Sequence, residues 1–241
     1  MKLTPDSIQD LVTIAFCLEP LSDKPGCTTR FVDLPNRPLT DFIVSGINAG
    51  KFFRFFAQDI IDGKDPDIFF YHPTALLSSN QFKSSKIVNF GLLEIMFPAV
   101  YARMHCDIRD GVVDALLDSV KKHRPTEVRH LCDARKIAWK TSEKSEKTTF
   151  TGDEFLHTTS VHEFYEALYS HYPSDSSNHQ WAEQYRLGLP IVREALECLE
   201  KMPVLRALEV SYTSIHKAHP EWKVGIVADM CAAALFIHLS F

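Results

Sequence analysis

The sequence lacks the motifs that usually mark a phosphate-binding loop or a membrane span. It has neither a GxGxxG nor a Walker A segment, which excludes the usual dinucleotide-binding and P-loop sites. Its longest apolar run, Ile226–Phe241, contains Asp229 and His238 and is shorter than the ~20 residues that a membrane span requires. The run therefore predicts a buried terminal helix, and we expect no membrane partner.

Paired cysteines and an excess of positive charge are also missing. The six cysteines are scattered without a Cys-x-x-Cys pair, and residues 1–10 do not resemble a secretory signal. These features predict free thiols in a reducing compartment, so we expect a cytoplasmic protein. The net charge of −5 argues against a nucleic-acid partner, because such proteins need a basic face to displace counterions.

Alternating strand patterns are absent, whereas helical spacing of apolar residues is frequent. Thr4-Pro5-Asp6 predicts the start of a first helix, because threonine caps helices and proline suits their first position. The further predicted helices cover 39–60, 92–104, 110–122, 125–142, 161–171 and 181–201, with a possible kink at Pro190. We therefore predict an all-α fold in which residues 1–241 form a single compact multi-helix domain.

A proline-rich stretch from Glu19 to Ser45 follows the first helix and ends within the start of the predicted second helix. Its prolines prevent regular helix, because each fixes its own φ and restricts the preceding residue. The loop nevertheless carries several charged side chains, namely Lys24, Arg30, Asp33 and Asp41. On composition alone it is either a solvated connection between helices or a functional loop.

The order of residues in this loop resembles the opening of the triphosphoribosyl-dephospho-CoA synthase family. The shared residues are Glu19, Lys24-Pro25-Gly26, Arg30 with Asp33, and Asp41-Phe42 with Ser45. Two later segments match more loosely. Asn89 and Gly91 precede Leu92-Leu93, and His216-Lys217 stands in the family's basic position, with Tyr212 where the family has an acidic residue. The chain resembles a divergent, shorter member of the archaeal and methylotroph type.

The resemblance implies a nucleotide-dependent transferase. The family transfers the triphosphoribosyl unit of ATP to 3′-dephospho-CoA and releases adenine; a variant would use another cofactor precursor of a one-carbon (methanopterin or methylofuran) pathway. It also implies Mg²⁺, which enters with ATP. The residues assigned to nucleotide or phosphate binding are Lys24, Gly26, Arg30, Asn89 and Lys217. Asp33 and Asp41 are assigned as catalytic carboxylates and Mg²⁺ ligands.

Two other hypotheses remain open from the residues. The altered Tyr212 segment suggests a nucleotide-binding helical protein without turnover. Alternatively, the charged loop is a docking surface of a helical interaction protein. Residues 121–147 hold nine Lys/Arg against four Asp/Glu, which is either a solvated helix face or a basic rim that steers a polyphosphate. Phe52-Phe53 and Phe55-Phe56 exceed what one helix stripe can bury, which predicts a homodimer contact.

Overall fold

The computed structural model describes residues 3–81, 86–141 and 150–241, without the side chains of residues 140 and 141. Its regular structure consists of eleven α-helices and two short 3₁₀ helices, Arg109–Gly111 and Asp153–Phe155. The helices are α1 (Pro5–Leu18), α2 (Leu39–Ile61), α3 (His72–Ser79), α4 (Phe90–His105), α5 (Val112–Val120), α6 (Pro125–Thr141), α7 (Val161–His171), α8 (Ser177–Arg186), α9 (Pro190–Lys201), α10 (Val204–Ala218) and α11 (Val224–Leu239). No β-strand occurs within these ranges. The predicted all-α fold is confirmed.

Helices α4 and α11 form the centre of the single domain. Both are apolar around most of their circumference, and most of their residues are buried. A helix of this kind must lie inside a fold, because every one of its faces needs an apolar neighbour. α11 packs against α1, α4, α9 and α10, and one continuous hydrophobic core connects these helices. The prediction of a buried terminal helix is therefore confirmed.

The first two helices begin as predicted and pack closely. The Ser7 N–H donates to Thr4 Oγ1 at 3.1 Å, and the Thr4 N–H donates to Ser7 Oγ at 2.8 Å, so the start of α1 has a reciprocal cap. Glycines of α2 face α1. A Cβ at Gly46 would lie 2.7 Å from Phe16 Cβ, so this glycine permits the close approach of the two helices.

The phenylalanines of α2 contribute mainly to the interior. Phe52, Phe53 and Phe56 are buried, and Phe53 stacks on Phe97 with 4.3 Å between ring centroids. Only Phe55 of this group is exposed, at 44%. Most of the apolar surface on which the homodimer prediction rested is therefore covered within the chain.

The predicted single helix over 181–201 is wrong, because the chain breaks between α8 and α9. Gly188 has φ +80° and Leu189 has φ +57°, both in the left-handed region. Leu189 precedes Pro190, and the residue before a proline is disfavoured in the right-handed helical region. Gly188 accepts the left-handed conformation without a Cβ penalty. The Gly-Leu-Pro sequence therefore ends one helix and starts another, which is a larger change than a kink.

Candidate functional site

A cavity of about 740 Å³ opens between the proline-rich loop and the N-terminal ends of several helices. Its volume lies within the range of small-molecule sites. The loop provides one side, and α6, α8 and the segment before α11 provide the other. The lining residues that bear on its chemistry are Glu19, Gly26, Arg37, Lys86, Asn89, Gly91, Arg135, Trp139, Asn178, Trp181, Trp222, Lys223 and Asp229.

Three helices present their N-terminal turns to this cavity. Residues 89–91 of α4, 177–178 of α8 and 223–226 of α11 all line it. The start of α8 is capped by Ser176, whose hydroxyl accepts from the His179 N–H at 3.1 Å. The starts of α4 and α11 have no side-chain cap. Uncapped N–H groups and the positive end of the helix dipole favour an anion.

Cationic side chains add to this positive potential. Arg37, Lys86 and Lys223 line the cavity from three separate segments of the chain. Arg135 also lines it but is engaged below the surface: its guanidinium contacts Glu94 and donates to Asn178 Oδ1 at 2.7 Å. The cavity can therefore attract a polyanion, and Arg37 and Lys86 are the cations best placed to move onto it.

Two carboxyl groups line the cavity in different environments. Glu19 Oε1 lies 2.6 Å from Lys24 Nζ, and the two side chains form a buried ion pair. Asp229 makes no hydrogen bond or ion pair to any described residue. Burial, and then the nearby Glu19, raise the pKa of Asp229 well above its usual range. One carboxyl is thus ion-paired, whereas the other has no described partner and a raised pKa.

A buried polar network supports the cavity floor. Glu94 accepts from Arg135 and from the Tyr165 hydroxyl, the latter at 3.0 Å. Glu94 is fully buried, and burial raises the pKa of its carboxyl while Arg135 opposes that shift. Because Arg135 also holds Asn178, the network fixes the first turn of α8 relative to α4. These residues were not predicted from the sequence as a site.

Aromatic rings form much of the remaining wall. Trp139, Trp181 and Trp222 line the cavity, and so do Phe42 and Phe90. Trp222 is held in place because its Nε1 donates to Glu183 Oε2 at 2.9 Å. A flat ligand can stack on such rings, since every nucleobase has a π-face. The site therefore combines positive charge, two carboxyls and aromatic surface.

Two of the sequence-predicted residues, Gly26 and Asn89, line the cavity. Gly26 has φ +84°, which a residue with a Cβ rarely adopts. Asn89 is the N-cap of α4, and its Nδ2 donates to the Phe42 carbonyl at 3.3 Å. The Tyr212 hydroxyl donates to the Pro25 carbonyl at 2.7 Å and so anchors the loop on α10. The loop and the start of α4 thus meet at one site.

The other predicted residues have protein partners or lie outside the cavity wall. Lys24 is buried against Glu19 and Ser22. Arg30 is exposed and lies 3.6 Å from a carboxylate oxygen of Glu209. Lys217 is exposed on α10, next to His216, which does line the cavity.

The two predicted Mg²⁺ ligands are at the start of α2. Asp33 Oδ1 accepts from the Leu39 N–H at 2.5 Å, and Asp41 is buried in the first turn of the helix. Neither residue lines the cavity. In the ranges that the structure describes, no group of three or more His, Cys, Asp or Glu side chains could hold a metal ion. Mg²⁺ bound with a nucleotide needs fewer protein ligands, because phosphate oxygens supply the rest.

The described part of the basic segment 121–147 pairs largely with carboxylates of the protein. Lys121 lies 2.9 Å from Asp118, and Lys136 lies 2.7 Å from Asp153. Arg135 is the residue of this segment that reaches the cavity as a cation. Residues 142–149, with Lys144 and Lys147, lie outside the described residues, as does the side chain of Lys140.

The chain matches none of the family models, curated proteins or solved structures with which it was compared. All six cysteines are free thiols. Across the described residues, no helix has both the length and the apolarity needed to cross a bilayer. Function must therefore be inferred from the cavity and from the residues that surround it.

Proposed function

We propose that the protein is a nucleotide-dependent transferase, similar to triphosphoribosyl-dephospho-CoA synthase, that uses ATP at this cavity. The observation that carries the proposal is the meeting of Gly26 and Asn89 in one cavity. These residues come from two separate segments, and each segment resembles the family. A cofactor precursor with a free hydroxyl group, 3′-dephospho-CoA or one of a one-carbon pathway, is the proposed acceptor.

The triphosphate requires cations and N–H donors. Arg37 and Lys86 supply the charge in the proposal, and the uncapped starts of α4 and α11 supply the N–H groups. Mg²⁺ would neutralise the triphosphate further, bound mainly by phosphate oxygens. Asp33 and Asp41 remain the predicted protein ligands for it. The tryptophans of the wall offer a stacking surface for adenine.

Cleavage of the bond between ribose and adenine builds positive charge on the ribose. A carboxylate near that charge lowers the barrier, because it stabilises the transition state more than the ground state. Glu19 is the candidate for this group, since it lines the cavity whereas its ion-pair partner Lys24 does not. The cavity therefore offers both a polyanion site and a group that suits glycosyl transfer.

The test is the release of adenine from ATP in the presence of Mg²⁺ and an acceptor. We expect release that depends on the acceptor, with 3′-dephospho-CoA and precursors of methanopterin and methylofuran as the first candidates. Arg37→Gln should weaken ATP binding about tenfold, the effect of losing one charged hydrogen bond. Arg54→Gln is the matched control, because Arg54 pairs with Asp6 at 2.6 Å on the outside of α2.

Each alternative has its own outcome in this test. Saturable ATP binding without adenine release would replace the transferase with a non-catalytic nucleotide-binding protein. The absence of ATP binding, with unaltered folding, would favour the interaction-protein hypothesis and exclude the nucleotide site.

A further inference from the structure

Asp229 occupies an unusual position for an aspartate. It lies on the central helix α11 and interrupts the longest apolar run of the sequence. Its side chain reaches the cavity and packs against the first turn of α4, where a Cβ at Gly91 would overlap its Oδ2. No described residue forms a hydrogen bond or an ion pair with its carboxyl group. The fold thus holds an unpartnered carboxyl group in a fixed place on the cavity wall.

The charges around Asp229 come from several elements. Glu19 at the end of α1 and Glu94 on α4 disfavour its ionisation, whereas Arg37 and Lys24 in the loop favour it. Burial is the largest of these effects, and the net result is a pKa of Asp229 well above its usual range. A carboxylic acid kept neutral in a cavity can donate a hydrogen bond, which a carboxylate cannot do.

Glu19, on the same cavity, is in the opposite situation. Its Oε1 lies 2.6 Å from the buried Lys24 Nζ, so Glu19 has an ion-pair partner that Asp229 lacks. When two carboxyl groups of one site have such different surroundings, one can act as an acid and the other as a charged stabiliser. Asp229 and Glu19 fit this arrangement.

We infer that Asp229 is the general acid of the cavity and donates its proton to a ring nitrogen of the departing purine base, an assignment that rests on the proposed transferase function. As the bond between the ribose C1′ and the base nitrogen breaks, the electron pair leaves with the base and the Asp229 proton neutralises it. The acceptor hydroxyl oxygen then bonds to C1′, and its proton passes to the Asp229 carboxylate. Glu19 faces the positive charge that develops on the ribose.

Binding of deaza analogues tests the hydrogen bond without requiring turnover. One of the two analogues, 7-deaza-ATP or 3-deaza-ATP, lacks the ring nitrogen that Asp229 contacts. ATP should bind about tenfold more tightly than that analogue, because the analogue leaves the Asp229 donor without an acceptor. Asp229→Ala should bind ATP and the analogue equally. Asp229→Asn should keep the discrimination, since an amide also donates. Asp10→Asn, at an exposed carboxylate of α1, is the matched control and should behave as the wild type.

Adenine release tests proton transfer. Asp229→Asn should still bind ATP but should release adenine at least about 100-fold more slowly than the wild type, because an amide cannot act as a general acid. Circular dichroism and melting temperature would show that the variant folds, which we expect because the change removes a disfavoured buried acid.

The possible failures are distinguishable. If Asp229→Asn releases adenine at the wild-type rate, or if wild-type ATP binding does not discriminate against either analogue, the assignment of Asp229 is wrong while the transferase proposal stands. If the wild type discriminates through Asp229 but releases no adenine with any acceptor, the transferase function and the acid role are both wrong. If the wild type binds no ATP, the nucleotide site itself is excluded.

Discussion

Lys24 Nζ lies 2.6 Å from Glu19 Oε1, and the exposed fractions of the two side chains are only 1% and 7%. The sequence predicted Lys24 as a phosphate ligand, whereas the fold gives this lysine a carboxylate partner at the edge of the cavity. The Lys24 ammonium group also donates to Ser22 Oγ at 2.9 Å. Lys24 therefore holds Glu19 and the start of the loop in place. Any effect of Lys24 on nucleotide binding would be indirect, through the position of Glu19.

Removal of this lysine should destabilise the fold strongly. We expect Lys24→Met to lower the free energy of unfolding by about 3–5 kcal/mol, because it leaves a buried carboxylate without its partner. The double variant Lys24→Met with Glu19→Gln should recover most of the loss. Urea denaturation measures both. Lys121→Met is the control, since its exposed pair with Asp118 should contribute about 1 kcal/mol or less. If Lys24→Met is as stable as the wild type but no longer binds ATP, the prediction that Lys24 contacts a phosphate would be supported instead.

Two glycines at equivalent positions of two helices should respond differently to alanine. Gly91 and Gly225 are each the second residue of their helix, α4 and α11. A Cβ at Gly91 would overlap Asp229 and lie 2.9 Å from Trp181 Cζ3, whereas a Cβ at Gly225 would meet nothing within 4 Å. Gly91→Ala should cost about 1–3 kcal/mol of stability, and Gly225→Ala should be neutral or stabilise by up to about 1 kcal/mol.

Thermal unfolding of both alanine variants checks this difference. Asp229→Ala in the Gly91→Ala background should recover part of the loss, because it removes one of the two clashes. Equal effects at the two glycines would contradict the packing of Asp229 against α4.

His72 should make the fold sensitive to acid. Its ring is fully buried among Phe69, Phe90 and Phe97, and neither ring nitrogen has a described partner. Burial, aided by Arg135, lowers its pKa to about 3, below the value near 6.5 of the unfolded chain. The unfolded state therefore binds the proton first. Stability should decrease as pH falls from about 6.5 towards 3, by on the order of 5 kcal/mol in total.

Comparison with His72→Leu isolates this contribution. Burial raises the pKa of Glu127 to about 7, and this group acts in the opposite direction: its contribution is lost as pH rises from its unfolded value through 7. The difference between wild type and His72→Leu removes this shared effect. Urea titrations of both proteins at several pH values give the unfolding free energies from which this difference is calculated. A difference that does not change with pH would show that His72 ionises normally.

Asp33 offers a test that separates a structural role from a catalytic one. Its Oδ1 accepts from the Leu39 N–H at the start of α2, and an asparagine oxygen can replace that acceptor. Asp33→Asn should therefore keep the melting temperature but abolish transfer, if this carboxylate holds Mg²⁺ or acts as a base. Asp33→Ala should in addition lose about 1 kcal/mol, or about 2–4 °C in melting temperature. Unchanged transfer in both variants would exclude the catalytic assignment.

The sequence alone identified the helical class and two of the segments that line the cavity, the proline-rich loop and the start of α4. Apolar periodicity and helix caps are signals contained within short stretches of sequence. For this reason α1, α2, α7 and the buried character of α11 could be predicted. The break at Gly188 was missed because the apolar stripe continues across it, and the left-handed conformation of Leu189 leaves no pattern in that stripe. Asp229 was visible as an interruption of an apolar run, but that signal excluded a membrane span without indicating a site.

The tertiary structure decided the partners of each charged group. Lys24 and Arg30 are equally cationic in the sequence, yet one is buried against Glu19 and the other is exposed near Glu209. Glu19 and Asp229 are more than 200 residues apart and share a cavity only because α1, α4 and α11 pack together. Charge interactions depend on distance and burial, and neither quantity is encoded in local spacing. The local pattern of residues therefore determined the fold class, whereas only tertiary packing brought the candidate acid Asp229 and its neighbour Glu19 into one cavity.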